Sequence, residues 1–135
     1  MTDENWARAS APDADAVQRL AQASFDRLPD QVRTAVAGVH IQVRDFADDE
    51  TLAEMGIESP FDLLGLYQGV DLTRASLDDP PMQPDRIFLY RRPVLDLWCE
   101  GEEALGDVVA HILVHEIGHH LGLSDADMDA IEKEV

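Results

Sequence analysis

The segment from Glu102 to Leu121 constrains the fold of this chain most, because its 20 residues contain no proline. Apolar side chains recur within it at the three- and four-residue spacing of a helix with a buried face. They are Leu105, Val108, Val109, Ile112, Leu113 and Ile117. Acidic residues begin the segment, as the helix dipole prefers, and Gly122 follows it as a stop signal. The segment therefore predicts the longest helix of the protein, packed on a sheet.

Shorter helical and strand patterns fill the rest of the sequence. Helices are predicted over Asp13–Leu28, Asp30–Ala37, Asp48–Gly56, one or two turns within Pro93–Trp98, and Asp125 to about Lys133. Strands are predicted over Val39–Arg44, Leu63–Tyr67 and Arg86–Arg91, and a proline-rich loop over Thr73–Asp85. This pattern predicts a small α+β domain with about three strands in a mixed sheet, whose order the sequence leaves open. We expect a flexible tail over residues 1–12 and one domain over residues 13–135.

Charge and composition narrow the classes of partner. Ten basic residues stand against 28 acidic ones, a net charge of −18. Such a chain repels nucleic-acid phosphates and anionic lipid headgroups, so we expect neither as a partner. The charge is typical of a solvated acidic surface, with a preference for basic substrates as the alternative. The sequence lacks a membrane-spanning apolar stretch and a signal peptide, so a cytoplasmic protein is expected. The single cysteine, Cys99, is predicted to be a small buried side chain.

Chemistry is concentrated near the end of the long helix, in the segment HEIGHHLGLSD. His115 and His119 are four residues apart, so both imidazoles lie on one face, one turn apart, and reach one ion. Glu116 lies about 100° around the helix axis from His115. Its carboxylate can therefore hold a water bound to that ion without being a ligand itself. The pattern His-Glu-x-x-His predicts a site for one zinc ion.

The third ligand is predicted to be Asp125. Gly122 lets the backbone turn back toward the metal, and Asp125 follows six residues after His119. Helix capping is the alternative role of Asp125. Rival ligands stand on the last predicted helix: Asp127, Asp129 and Glu132.

The other histidines have two interpretations each. His111 lies one turn before His115, either as a partner of a ligand or as a partly buried residue bonded to the backbone. His120 shares a helical row with Glu116 and either contacts substrate or packs at the helix end. His40, on the polar face of a strand, is predicted to be structural.

The segment His115–Asp125 resembles the motif of small bacterial zincin-like metallopeptidases, once catalogued as a domain of unknown function. The likeness extends to Asp62–Gly69 with Leu72–Ser76, and to Pro84–Pro93, so it covers most of the chain from about Val39. It implies a minimal zincin fold and zinc binding. The motif also resembles the metzincin signature, but Asp125 replaces its last histidine. Met128, three residues later, is predicted to be a core residue rather than a counterpart of the metzincin methionine.

This resemblance implies hydrolysis of peptide bonds by a metal-activated water, with Glu116 as the general base. The candidates for stabilising the transition state are Tyr67, Tyr90, His120, Arg91 and Arg92. By the same resemblance, a peptide or protein substrate is expected along an edge strand near Leu64–Gln68. The alternative function is a metal-binding module with little or no proteolytic activity, which acts by binding a protein partner.

Overall fold

A computed structural model describes residues 2–69 and 84–135. The helices are α1 Asp3–Ala7, α2 Ala14–Asp26, α3 Asp30–Ala35, α4 Asp49–Met55, α5 Arg91–Glu100, α6 Leu105–Leu121 and α7 Asp125–Glu132. The strands are β1 His40–Arg44, β2 Gly65–Gln68 and β3 Arg86–Tyr90, with one 3₁₀ turn at Pro60–Asp62. The predicted loop and the segment Leu72–Ser76 fall largely or wholly outside the described residues. None of the described helices is long and apolar enough to cross a membrane.

The three strands form one mixed sheet in the order β1-β3-β2. Strands β1 and β3 are parallel, with His40 opposite Arg86, whereas β2 is antiparallel to β3, with Gly65 opposite Leu89. The prediction of an α+β fold with three strands is confirmed. Strand β2 lies at an edge of this sheet, so the backbone of its outer side is not used by another described strand.

The alternation of side chains along β3 divides the core into two parts. Ile87 and Leu89, both fully buried, belong to the larger part, where the sheet packs with α2 and α6. Phe88 and Tyr90 point to the other face and pack with Leu52 of α4 and its neighbours. Helix α6 is therefore fixed to one face of the sheet, as the sequence predicts.

Helix α6 begins three residues later than predicted. Glu102 and Glu103 lie outside it and are exposed, and Asp107 is the acidic residue of its first turn. At the other end Gly122 has a φ of 71°, in the left-handed region that glycine adopts easily. The amides of Gly122 and Leu123 donate to the carbonyls of His119 and Gly118 and close the helix. The predicted glycine turn is thus confirmed.

Helix α7 packs closely on α6 through Gly118 and Met128. A Cβ atom on Gly118 would overlap the Cγ and Sδ atoms of Met128, whose side chain is 1% exposed. Met128 is a core residue, as predicted. Ser124 caps α7, because its hydroxyl accepts a hydrogen bond from the amide of Asp127 at 3.1 Å.

Two local predictions were wrong. Helix α5 spans ten residues rather than one or two turns. Pro93 is its third residue, in the first turn, where the backbone N–H has no partner within the helix. The proline therefore does not interrupt the helix, which begins before it. Cys99 is exposed because it lies in the last turn of α5, beside the exposed Glu100 and Gly101. The predicted N-terminal tail contains α1, none of whose residues is buried.

Candidate metal centre

Helix α6 presents three histidines at four-residue intervals, and therefore on one side. The rings of His111 and His115 have centroids 4.1 Å apart. The rings of His115 and His119 are 5.9 Å apart and nearly perpendicular. The two imidazoles of the His-Glu-x-x-His motif and that of His111 thus form a row along one side of α6.

Within residues 2–69 and 84–135, one group of three metal-ligating side chains has its donor atoms within 4.8 Å of one another: His111, His115 and Glu132. Glu132 comes from α7, at the end that packs against α6. Its Oε1 lies 2.8 Å from Nδ1 of His111, and its Oε2 lies 3.9 Å from Nε2 of His115. The carboxylate of Glu132 therefore lies near both His111 and His115.

The Nε2 atom of His115 is buried and has no hydrogen-bond partner. Such an atom is uncommon in native proteins, because an unmade hydrogen bond costs about 1–3 kcal/mol when the group is buried. A bound ion removes that cost, and imidazole nitrogen is a preferred zinc ligand. The environment of His115 consequently fits a metal ion.

His119 and Asp125 do not belong to this close group. His119 is exposed in the last turn of α6, and Asp125 is the exposed first residue of α7, next to the capping residue Ser124. The rival ligands Asp127 and Asp129 are also exposed. The assignment of His119 and Asp125 as ligands stays a prediction.

Glu116 points toward the edge strand rather than into solvent. Burial raises the pKa of its carboxyl group, while a hydrogen bond from the backbone N–H of Tyr67 and the nearby His119 lower it by less. Gly65 brings β2 and α6 close together, since a Cβ there would lie 3.0 Å from the Phe88 carbonyl and 3.1 Å from Cγ2 of Ile112. The predicted general base thus meets the predicted peptide-binding strand.

Tyr67 and His120 are held together beside Glu116. Their rings stack with centroids 3.8 Å apart, and the Tyr67 hydroxyl donates to Oδ2 of Asp85 at 2.8 Å. Burial, that hydrogen bond and the charge of Asp85 raise the pKa of Tyr67. Nε2 of His120 lies 3.9 Å from the same carboxylate oxygen. Asp85 belongs to this cluster but was not among the predicted site residues.

The remaining candidates lie elsewhere. Tyr90 is buried on the opposite face of the sheet, beside a cleft of about 310 Å³, and burial raises the pKa of its hydroxyl. Arg91 donates to the carbonyl of Pro12 at 2.7 Å and lies 3.3 Å from Asp45, so its guanidinium is engaged away from Glu116. Arg92 and His40 are exposed.

A second cleft, of about 430 Å³, lies where α5 approaches the end of α7. His111 and Glu132 line it together with Trp98 and Val108, and Glu100 and Glu103 lie at its border. His111 and Glu132 therefore face an open space on the side of α6 that carries α5.

The four-residue spacing in the sequence could have indicated that Glu132 and His111 lie near His115. Glu132 follows Met128 by four residues, so a helix with Met128 in the core places Glu132 on the same side, one turn later. His111 precedes His115 by the same interval. The expectation that His111 bonds to the backbone was wrong, because it faces the Glu132 carboxylate and is half exposed.

Comparison with known proteins identifies the family of the chain. None of the curated proteins matches the sequence. The family model described as zincin-like metallopeptidase matches residues 36–135, which include the whole sheet, α6 and α7. A match over this much of the chain, which includes the helix that carries His115 and Glu116, shows that the chain belongs to the zincin-like metallopeptidase family.

Proposed function

We propose that this protein is a zinc-dependent peptidase in which Glu116 is the general base. The observation that carries the proposal is the position of the Glu116 carboxylate. Glu116 directly follows His115, whose Nε2 is buried and unpaired, and its partly buried carboxylate faces the backbone N–H of Tyr67 on an edge strand. A base between a metal ligand and a peptide-binding edge is the arrangement that peptide hydrolysis needs.

Zinc would be held by His115 and His119, with a carboxylate from the segment after Gly122 as the third ligand. Asp125 is the residue that the motif predicts. When bound, zinc polarises the substrate carbonyl and lowers the pKa of a coordinated water. The unpaired Nε2 of His115 supports a metal at this histidine, since the carboxylate oxygen near it, Oε2 of Glu132, is 3.9 Å away and too far for a hydrogen bond.

Glu116 takes a proton from the attacking water and delivers it to the leaving amine. Partial burial raises the pKa of its carboxyl group above the ordinary value, which makes the carboxylate a stronger base. The backbone N–H of Tyr67 faces this carboxylate and favours its charged form. The same side chain therefore has the basicity and the fixed position that both proton transfers require.

The outer edge of β2 supports binding of an extended peptide. The amide of Tyr90 donates to the carbonyl of Leu64 at 3.0 Å, so that pair is hydrogen-bonded across the strands. In an antiparallel ladder, hydrogen-bonded residue pairs alternate with pairs that are not hydrogen-bonded to each other. The N–H and C=O groups of Gly65 and Tyr67, one and three residues after Leu64, therefore point away from β3. Because the Tyr67 amide faces Glu116, a substrate strand placed there would pair with the remaining outward groups, which are the N–H and C=O of Gly65 and the C=O of Tyr67.

Replacing Glu116 with Gln tests the proposal, because the amide keeps the shape of the side chain but cannot accept the proton. Zinc content should equal that of the wild type, while cleavage of a peptide library should be lost. Glu54→Gln, at an exposed position of α4, is the matched control and should cleave normally. Cleavage by Glu116→Gln at the wild-type rate would refute the mechanism.

A further inference from the structure

We propose that the cleft between α5, the first half of α6 and the end of α7 binds a basic side chain of an extended peptide, with arginine preferred over lysine. The cleft is the one of about 430 Å³ that Trp98 and His111 line. The inference rests on the proposed function in one respect, since it makes this peptide the substrate and gives the substrate its class.

One part of the cleft is apolar. Trp98 is partly buried against the core, Val108 lines the cleft with 7% exposure, and Leu97 is 41% exposed. Clefts of about 300–1,000 Å³ commonly bind small ligands, so the volume suits a side chain. The methylene groups of arginine or lysine can lie along such a surface, and a guanidinium can also stack on an indole.

The border of the cleft is negatively charged. Glu100 and Glu103 are exposed there, and neither Lys nor Arg is among the described residues that line the cleft. A third carboxylate, that of Glu132, lies 2.8 Å from Nδ1 of His111. Glu100 and Glu103 are therefore the carboxylates that a basic ligand would meet at the border.

The end of α5 adds to this negative potential. Residues 97–100 form its last turn, contribute to the lining and include no basic residue. The free carbonyl groups at a helix C-terminus carry partial negative charge and favour a nearby cation. The cleft thus joins an apolar surface to two independent sources of negative potential, which is the chemistry that recognises an arginine or lysine side chain.

The direction of the edge strand leads a bound peptide to this cleft. Strand β2 and helix α6 run in the same direction, because Gly65 approaches Ile112 while Tyr67 faces Glu116. A peptide that pairs with β2 in the antiparallel sense, the more stable one, runs opposite to α6. Its C-terminal part therefore extends toward the first half of α6, where the cleft lies.

The spacing along α6 suits a residue close to the scissile bond. His111 lines the cleft and precedes His115 by four residues, about 6 Å along the helix axis. An extended peptide advances about 3.4 Å per residue and covers that length in roughly two residues. We therefore expect the basic side chain one or two residues after the scissile bond.

Binding of arginine derivatives to the full chain tests the cleft without turnover. The chain has two tryptophans, and Trp6 is exposed in α1, so Trp98 alone reports by fluorescence in a Trp6→Phe parent protein. N-acetyl-arginine amide should change this fluorescence in a saturable way. N-acetyl-citrulline amide has nearly the same shape but no charge, and it should bind roughly 3- to 10-fold more weakly.

Two variants at exposed positions alter the cleft in different ways. Glu100→Gln combined with Glu103→Gln should weaken binding of the arginine amide roughly 3- to 10-fold, the effect of two exposed ion pairs. Gly101→Leu should obstruct the cleft, which Gly101 lines. A Cβ at Gly101 comes no closer than 3.8 Å to the carbonyl oxygen of Leu97, and its φ of −111° suits any residue. Thermal unfolding shows whether each variant folds.

Glu50→Gln combined with Glu54→Gln is the matched control, because it removes the same charge from exposed positions of α4. It should bind the arginine amide as the parent does. In cleavage profiling, zinc-loaded parent and control proteins should prefer arginine, then lysine, over citrulline and glutamate one or two residues after the cleaved bond. The variant with Glu100→Gln and Glu103→Gln should lose that preference.

Equal binding of the arginine and citrulline amides by the parent protein would overturn the inference, as would unchanged arginine binding after Glu100→Gln and Glu103→Gln. Cleavage of peptides with no preference for a basic residue near the scissile bond would also overturn it while leaving the proposed function intact. A zinc-loaded protein that binds the arginine amide in the cleft but cleaves nothing would instead refute the proposed function and support the cleft as a site for basic side chains.

Discussion

Adding one methyl group at Gly118 should destabilise the protein and disturb its metal site. A Cβ there would overlap the Cγ and Sδ atoms of Met128, which is 1% exposed and cannot move into solvent without opening the core. Overpacking of this kind costs typically about 1–3 kcal/mol. The higher helix propensity of alanine offsets up to about 1 kcal/mol of this cost. The overpacking cost exceeds this gain over most of its range, so we expect Gly118→Ala to lower the free energy of unfolding by roughly 1.5 kcal/mol.

Urea denaturation measures this change, and Gly106→Ala is the matched control. Gly106 also lies in α6, but a Cβ there meets Cδ2 of Leu20 at 3.8 Å, an ordinary contact. Gly106→Ala should therefore be neutral or stabilising by up to about 1 kcal/mol. Combining Gly118→Ala with Met128→Ala should recover part of the overpacking cost. A Gly118→Ala protein as stable as Gly106→Ala would refute the packing argument.

Three further predictions concern the edge strand, the tyrosines and the cap of α7. Gly65→Ala should lower the cleavage rate more than the zinc affinity, because the new Cβ pushes β2 away from Ile112 while the histidines stay in place. The pKa of Tyr67 and that of Tyr90 are both raised in the folded protein, so the free energy of unfolding should fall as pH rises above about 10. Phenolate absorbance at that pH, compared with and without urea, checks it, and equal absorbance would contradict it. Ser124→Ala should cost about 1 kcal/mol of stability by urea denaturation, since it removes the cap of α7; an unchanged midpoint would show that the cap is dispensable.

Local patterns predicted most of the elements, because each depends on residues close in sequence. The periodicity of α6 and the turn at Gly122 are properties of a single helix and its end. The start of α6 was less well predicted, since acids before a helix and acids inside its first turn look alike in a sequence. Strand order needs contacts between segments far apart in the chain, and the parallel pairing of β1 with β3 has no local signature.

The candidate site likewise contains residues that local spacing predicts and residues that only the packing of distant segments brings in. The spacing of His115, Glu116 and His119 is local, so the sequence placed them on one helix without ambiguity. Glu132 depends on how α7 packs, which is decided by the space above Gly118. Asp85 reaches Tyr67 and His120 only because the sheet brings β2 and β3 together. What the sequence leaves undetermined is therefore the contribution of side chains from other elements.

Unbiased cleavage profiling of a peptide library, with the metal content of each sample measured, tests the central claim most directly. The proposal predicts that the zinc-loaded wild type cleaves, that removal of zinc stops cleavage and its return restores it, and that zinc-loaded Glu116→Gln is inactive. Zinc-loaded wild type that cleaves no peptide would contradict the claim and favour a metal-binding module that acts through a protein partner. Cleavage that continues without metal would contradict it as well.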